Sequence, residues 1–219
     1  GMSALDCIYE IMENEVQRRD SNALARRLKE AKICLPNARP DTIDFSIERG
    51  LDKNKIDALL TMRWIEEHQN IIITGAAGCG KTFLACALVN QACIKGRTAR
   101  VVRVPLLLNQ MAASHQIVET YFKKLKEMKT IDLLVLDDWG IGQLDARSRQ
   151  DLLEIINERY MYASTIVTSV LPVNKWSEYI NDTTYSDAIL DRLVSVSHRV
   201  ELNGASVRQM KEYGAVLKE

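Results

Sequence analysis

The sequence predicts an α/β protein, a parallel sheet with helices on both faces, and three observations carry that expectation. Runs rich in valine and isoleucine alternate with helix-length stretches from residue 71 onward. The apolar run 131–136 has the character of a strand buried on both faces. A glycine-rich loop, 75–82, sits between an apolar run and an apolar helix.

Taken in order, residues 5–32 place Leu5, Ile8, Met12, Val16, Leu24 and Leu28 at helical spacing, among Arg18, Arg19, Arg26, Arg27, Lys29 and Lys32. Such a basic helix serves either as a solvated face or as a surface for DNA or a partner. Pro36 and Pro40 then impose an irregular connector. Asp52 caps a second helix carrying Ile56, Leu59, Leu60 and Ile65. Ile71-Ile72-Ile73-Thr74 is the first strand, and the helix after the loop stops near Lys95 at Gly96. Residues 98–104 form the second strand, 106–128 are mostly helical, and 131–136 form the third strand. Asp145 caps a helix reaching about Tyr162, with Leu152, Leu153, Ile156 and Tyr160 as its apolar stripe; 165–169 and 199–202 complete the sheet. Residues 1–48 are thus expected to be an N-terminal helical extension and connector, truncated at its start, and 49–219 the core.

The 219 residues suit one sizeable domain, and 47% hydrophobic content is enough to bury a core. The 29 basic and 29 acidic side chains cancel, so no global charge calls for nucleic acid or membrane, while local patches stay open. Cys7, Cys34, Cys79, Cys86 and Cys93 show no metal-ligand spacing and read as free thiols of a reducing compartment. Cys86 and Cys93 read as small core residues, whereas Cys79, at a helix N-terminus, is expected to alkylate easily. With no signal peptide or membrane-length apolar run, the expected location is cytoplasmic.

Gly75-Ala76-Ala77-Gly78-Cys79-Gly80-Lys81-Thr82 is the P-loop pattern G-x-x-x-x-G-K-[ST] in its strand–loop–helix setting. Backbone N–H groups of this loop and of the helix start, including Phe83, can cradle a polyphosphate. Lys81 reaches the β and γ phosphates, and the Thr82 hydroxyl serves Mg²⁺. A nucleoside triphosphate, ATP with Mg²⁺, is the implied ligand. Asp137 and Asp138 follow the third strand at its C-terminal end, where open α/β sheets place ligands. Asp137 is expected as the metal ligand. Asp138 either orients or deprotonates the attacking water, or merely begins a loop or caps a helix. Thr168 and Ser169 end the fourth strand, to sense phosphate or to satisfy a turn. Arg192 is either a finger completing a neighbouring subunit's site or the partner of Asp191 or Asp187. Trp139 stacks on a base or packs at the sheet. Lys123, Lys124, Lys126, Lys129, Arg147 and Arg149 are the further DNA candidates.

Several stretches together resemble one family, the AAA+ ATPases of the IstB/DnaC group, and most of all the IstB-like transposition helpers of insertion sequences. They are 25–32, the P-loop, 133–140, 164–169, 188–193 and Ser206-Val207-Arg208, spanning about 24–209. The resemblance implies a three-layer P-loop NTPase whose five-stranded parallel sheet has the order 5-1-4-3-2, with ATP at a subunit interface. It implies Arg192 as the finger acting in trans, Arg208 as a sensor-two-like contact, and Thr168 and Ser169 at sensor one. Val170 stands where relatives often carry Asn, and Val207 where Tyr or Phe usually precedes the arginine. Residues 203–219 are too few for a C-terminal helical lid. The implied activity is Mg-dependent ATP hydrolysis stimulated by DNA or a partner. The implied behaviour is ATP-dependent self-association on largely non-specific duplex DNA, with presentation of that DNA to a transposase. The alternative is a helicase loader that prefers single strands and a helicase; a small-molecule kinase and an ATP-gated scaffold are more distant readings.

Overall fold

A computed structural model describes residues 4–204 and residue 206. Helix α1 (Ala4–Glu30) and a connector lead to α2 (Lys53–Leu60) and α3 (Arg63–Glu66). The core then runs β1 (Asn70–Gly75), α4 (Lys81–Ile94), β2 (Ala99–Arg103), α5 (Val104–Ser114), α6 (Val118–Thr130) and β3 (Leu133–Trp139). It closes with α7 (Ala146–Arg159), β4 (Ser164–Ser169), α8 (Trp176–Ile180), α9 (Thr183–Val194) and β5 (Ser197–Leu202). Every strand pairing is parallel, in the order β2-β3-β4-β1-β5, the expected 5-1-4-3-2 read from the other edge. Among the described residues no helix follows β5, and none is long and apolar enough to cross a membrane.

Period-two alternation divides the sheet's side chains between two cores. Ile71, Ile73, Leu133 and Val135 pack with α4 and the N-terminal elements. Ile72, Leu134, Leu136 and Val167 face α5, α7 and α9. That arrangement is why these strands read as continuously apolar.

Three elements differ from expectation. The helix expected from Asp52 breaks at Met62, whose φ of +66° is left-handed, and resumes as α3. The stretch 106–128 is two helices, and the first begins earlier, because Pro105 at its start supplies a preset helical φ. The third strand extends through Trp139, so Asp137 lies within it.

The N-terminal stripe also behaves differently along its length. Leu24 and Leu28 pack on the core, and Arg27 Nε donates to the Cys93 carbonyl at 2.9 Å. Leu5, Ile8, Met12 and Val16 are exposed. The connector belongs physically to the core: Ala31 and Ala38 are fully buried, and the Ala31 carbonyl accepts from Val101 N–H on edge strand β2 at 2.8 Å.

Arg159 holds the lower ends of the sheet together. It is 2% exposed and donates to the carbonyls of Met128, Ile131 and Ser164 and to Thr165 Oγ1. Burial pushes its guanidinium down to about 9, with Asp132 opposing the shift, so it stays charged at neutral pH. Arg159→Met fills similar volume but orphans four buried acceptors. The expected cost is about 3 kcal/mol, read as a lower denaturant midpoint at unchanged m-value.

Candidate nucleotide-binding site

The P-loop leaves β1 at Gly75, whose φ is +147° and where a Cβ would stand 2.2 Å from the Leu202 carbonyl oxygen on β5. Only glycine lets the chain turn there. Gly80, at φ +100°, precedes α4, and a Cβ on it would meet the Arg49 guanidinium at 2.5 Å. No side chain caps α4, so its first N–H groups are available to an anion. Ala76 and Ala77 are exposed, Gly78 and Phe83 are half-buried, and Ser206 abuts Gly78. Lys81 is buried and folded back on the loop, with Nζ donating to Gly75 O at 2.8 Å and Ala76 O at 2.7 Å.

Behind the loop, Asp137 Oδ1 accepts from Thr82 Oγ1 at 2.9 Å and from Thr168 Oγ1. The three side chains come from α4, β3 and β4 and meet at the C-terminal edge of the sheet. A carboxylate and a hydroxyl this close are the hard oxygen donors that Mg²⁺ takes, so the residues fit that ion. Ser169 turns elsewhere: its hydroxyl donates to Trp139 O at 2.8 Å and accepts from Leu171 N–H at 3.0 Å, which is the turn role.

Asp138 is the penultimate residue of β3 and takes a left-handed conformation, φ +62°, where the pairing with β4 shifts register. Arg103, at the end of β2, donates Nε to Asp138 Oδ2 at 2.6 Å. This carboxylate holds the Arg103 charge more firmly than usual, and Asp137 and Cys34 assist. The Asp138 N–H donates to Thr168 Oγ1 at 3.3 Å. Helix capping, the other expectation for Asp138, falls instead to Asp145, which accepts from Ser148 N–H at 2.7 Å.

Packing corrects the expectation for Cys79 and decides between the two for Trp139 in favour of packing at the sheet. Cys79 is fully buried, with its sulfur 4.0 Å from Lys81 Nζ, so the thiol is sealed from alkylating agents although its backbone belongs to the loop. Trp139 is fully buried against Trp176 and Tyr179, with ring centroids 5.1 and 5.8 Å away, and has no face for a base.

Arg192 lies far from its own P-loop. Its carbonyl accepts from Asn70 Nδ2 at 3.1 Å, at the opening of β1, whereas the loop leaves the far end of that strand, roughly 16 Å away at strand rise. The guanidinium donates to Ala188 O at 2.7 Å and lies over Tyr160 at 5.7 Å. Among the described residues it pairs with neither Asp187 nor Asp191. Arg208 falls outside the described residues.

The basic candidates are dispersed. Lys129 pairs with Glu158, Arg18 and Arg19 with Glu15, and Arg149 donates to Leu144 O and Ile180 O. Lys124 donates to Gln110, and Lys123, Lys126 and Arg147 stand exposed.

Sequence reasoning missed one wall of the site. A cavity of about 290 Å³ opens beside Gly78, Lys81, Thr82 and Phe83, and its other side is connector: Leu35, Thr42, Asp44, Ile47 and Arg49. Arg49 is 5% exposed, donates to Asp44 O at 3.0 Å and Cys79 O at 3.4 Å, and leaves Nε unpartnered. Burial works against its charge, with Asp44 and Cys79 opposing. The signal was Arg49-Gly50 beside a helix cap, too short to interpret alone.

The family described as "IstB-like ATP binding protein" matches residues 1–215. The insertion sequence ATP-binding protein y4pL of Sinorhizobium fredii is 42% identical over 199 residues, covering 91% of this chain and 80% of that protein. Among solved structures, DnaI superposes with a TM-score of 0.64 at 21% identity, covering 83% of this chain and 98% of that one. AMPPCP-bound DnaA from Aquifex aeolicus gives 0.64 at 22% identity, over 84% of this chain and 56% of that one. At these identities the structural likeness concerns the fold alone.

Proposed function

The chain belongs to the IstB-like ATP-binding family, and from that premise we propose that it is a Mg-dependent ATPase that assembles on duplex DNA and presents it to a transposase. The observation that carries the reading is the meeting of Thr82, Asp137 and Thr168 beside Lys81, with Asp138 one residue on. Thr82 and Asp137 would hold Mg²⁺, which would supply a positive charge to offset the charge that develops in phosphoryl transfer.

The chain's own groups do the rest. Gly75, Ala76, Ala77, Gly78, Cys79, Gly80, Lys81, Thr82 and Phe83 supply the phosphate cradle, and Lys81 swings from the loop carbonyls to the phosphates. Thr82 and Asp137 offer the metal donors, and Thr168 ties Asp137 to the backbone of Asp138. Asp138 accepts a proton from the attacking water once Arg103 releases it. Ser169 supports this edge through its turn, and Arg208 is assigned its phosphate contact on family resemblance alone.

Arg192 cannot serve its own P-loop, so it acts on the triphosphate of a neighbouring copy, which makes turnover depend on assembly. Lys123, Lys126 and Arg147, with Arg26, Lys29 and Lys32 at the N-terminal helix and its end, are exposed cations available to DNA phosphates. The insertion-sequence relatives favour a transposase over a helicase as partner, and this machinery operates in the cytoplasm.

ATP turnover titrated with long linear duplex at low salt tests the proposal. The rate is expected to climb with duplex, less with single strands, and to fall steeply with salt. Indifference to duplex defeats the proposal, and preference for single strands turns it into the loader reading.

A further inference from the structure

Two cysteines that take no part in nucleotide chemistry lie in contact beside the nucleotide cavity. Cys34 follows α1 at the start of the connector and is exposed; Cys86 lies on α4 and is fully buried. Their sulfurs are 3.6 Å apart although 52 residues separate them in sequence. Cys34 opens onto a second cavity lined by Lys32, Arg100, Arg103 and Lys124 against the carboxylate of Glu127, with Arg100 paired to Glu127 and Arg103 to Asp138. Thiols that react with peroxides occupy such partly exposed, electropositive surroundings, often with a resolving cysteine at hand. The other thiols lack this combination: Cys7 is exposed on α1, and Cys79 and Cys93 are buried.

We propose that Cys34 and Cys86 form a hydroperoxide-responsive dithiol whose disulfide fastens the connector wall of the nucleotide cavity to the P-loop helix. The Cys34 sulfur attacks one oxygen of hydrogen peroxide; the O–O bond breaks, the other oxygen leaves with the Cys34 thiol proton as water, and Cys34 becomes a sulfenic acid. The Cys86 sulfur then attacks the Cys34 sulfur. The S–O bond breaks, and the hydroxyl departs with the Cys86 proton as a second water. Two thiols lose two electrons in total, and hydrogen peroxide is reduced to two waters. Cys34 is the exposed member of the pair and Cys86 the buried one, so Cys34 meets the peroxide first; burial and the neighbouring Cys34 push the Cys86 thiol up to about 12.

Bond formation brings the sulfurs to about 2.05 Å. The connector makes that movement, since α4 is locked in the core. Leu35, next to Cys34, and Phe83, one helical turn before Cys86, line opposite sides of the nucleotide cavity. The disulfide therefore fixes the spacing of these two walls, which is how it would alter nucleotide exchange. This step depends on nucleotide binding alone and is independent of the proposed hydrolysis and DNA partner.

The test treats the full reduced chain with hydrogen peroxide, blocks remaining thiols by alkylation and maps the peptides by mass spectrometry. The expected product is a Cys34–Cys86 linkage lacking two hydrogens, reversed by dithiothreitol. Cys86→Ser should stop at a Cys34 sulfenic acid that dimedone traps. Cys34→Ser should form no linkage while binding nucleotide normally. Release of a fluorescent ADP analogue should slow several-fold in the oxidised protein and recover on reduction. Cys7 is the internal reference: if it oxidises while Cys34 stays reduced, the reactive site is refuted. Unchanged release from fully linked protein refutes the coupling to the cavity.

Discussion

Lys81→Ala is expected to weaken nucleotide binding at least a hundredfold, about 3 kcal/mol, as measured by titration with a fluorescent ATP analogue. The size follows from the surroundings. Nζ is buried where the loop carbonyls Gly75 O and Ala76 O converge, so the ammonium is already largely desolvated before phosphate arrives. Exchanging those neutral acceptors for phosphate oxygens gives charge-assisted bonds at little further desolvation cost. Alanine removes the cation, and no other side chain replaces it. Arg49 approaches the loop from the connector side, but its guanidinium is engaged with Asp44 O and Cys79 O.

The fold should survive the substitution, since the two released carbonyls lie at a half-exposed loop. A melting temperature close to the parent's, alongside lost binding, separates a site effect from unfolding. Nucleotide-dependent assembly, followed by sedimentation, should vanish with it. Assembly that persists in Lys81→Ala would show that ATP does not gate association.

The parts of this site that were legible in the sequence are those whose geometry is local. Residues 75–82 turn and enter a helix within eight positions, and Asp137 follows the apolar run that delivers it; strand period and glycine placement suffice for both. What stayed hidden depends on pairing between distant segments. Arg103 meets Asp138 only because β2 lies beside β3, and in sequence it is one arginine ending a valine-rich run. Asn70 reads as a polar residue at a strand start. In the fold its amide holds the carbonyls of Arg192 and Leu193, and its oxygen accepts from Thr165 N–H.

The connector is irregular as expected, but its role stayed hidden for a related reason. Proline and polar residues signal irregular chain, yet irregular chain anchored by Ala31, Ala38 and Ile43 serves as a cavity wall. The break at Met62 has no glycine or proline to announce it, because tertiary packing of Met62 and Trp64 outweighs local propensity there.

Asp138→Asn is expected to lower ATP turnover by about 10² to 10⁴ while nucleotide affinity changes little, the range set by loss of a general base. Asparagine is the informative replacement because Asp138 sits at φ +62°, a conformation that Asn tolerates as Asp does and alanine does not. The backbone, and with it the N–H donated to Thr168 Oγ1, is therefore kept. Binding should be spared because Lys81, Thr82 and Asp137 are untouched.

The ion pair with Arg103 offers a rival account of any loss, and a second substitution resolves it. Both partners are substantially solvated, with side-chain exposures of 64% for Arg103 and 29% for Asp138, so the pair adds under about 1 kcal/mol to stability. If Asp138 mattered only through that pair, Arg103→Ala would reproduce the defect of Asp138→Asn. If Asp138 takes the proton, Arg103→Ala leaves turnover measurable, and the double variant is no slower than Asp138→Asn alone. Single-turnover ATP hydrolysis on these three proteins decides between the two. Unchanged turnover in Asp138→Asn would remove the carboxylate from proton transfer and leave it as an anchor for Arg103.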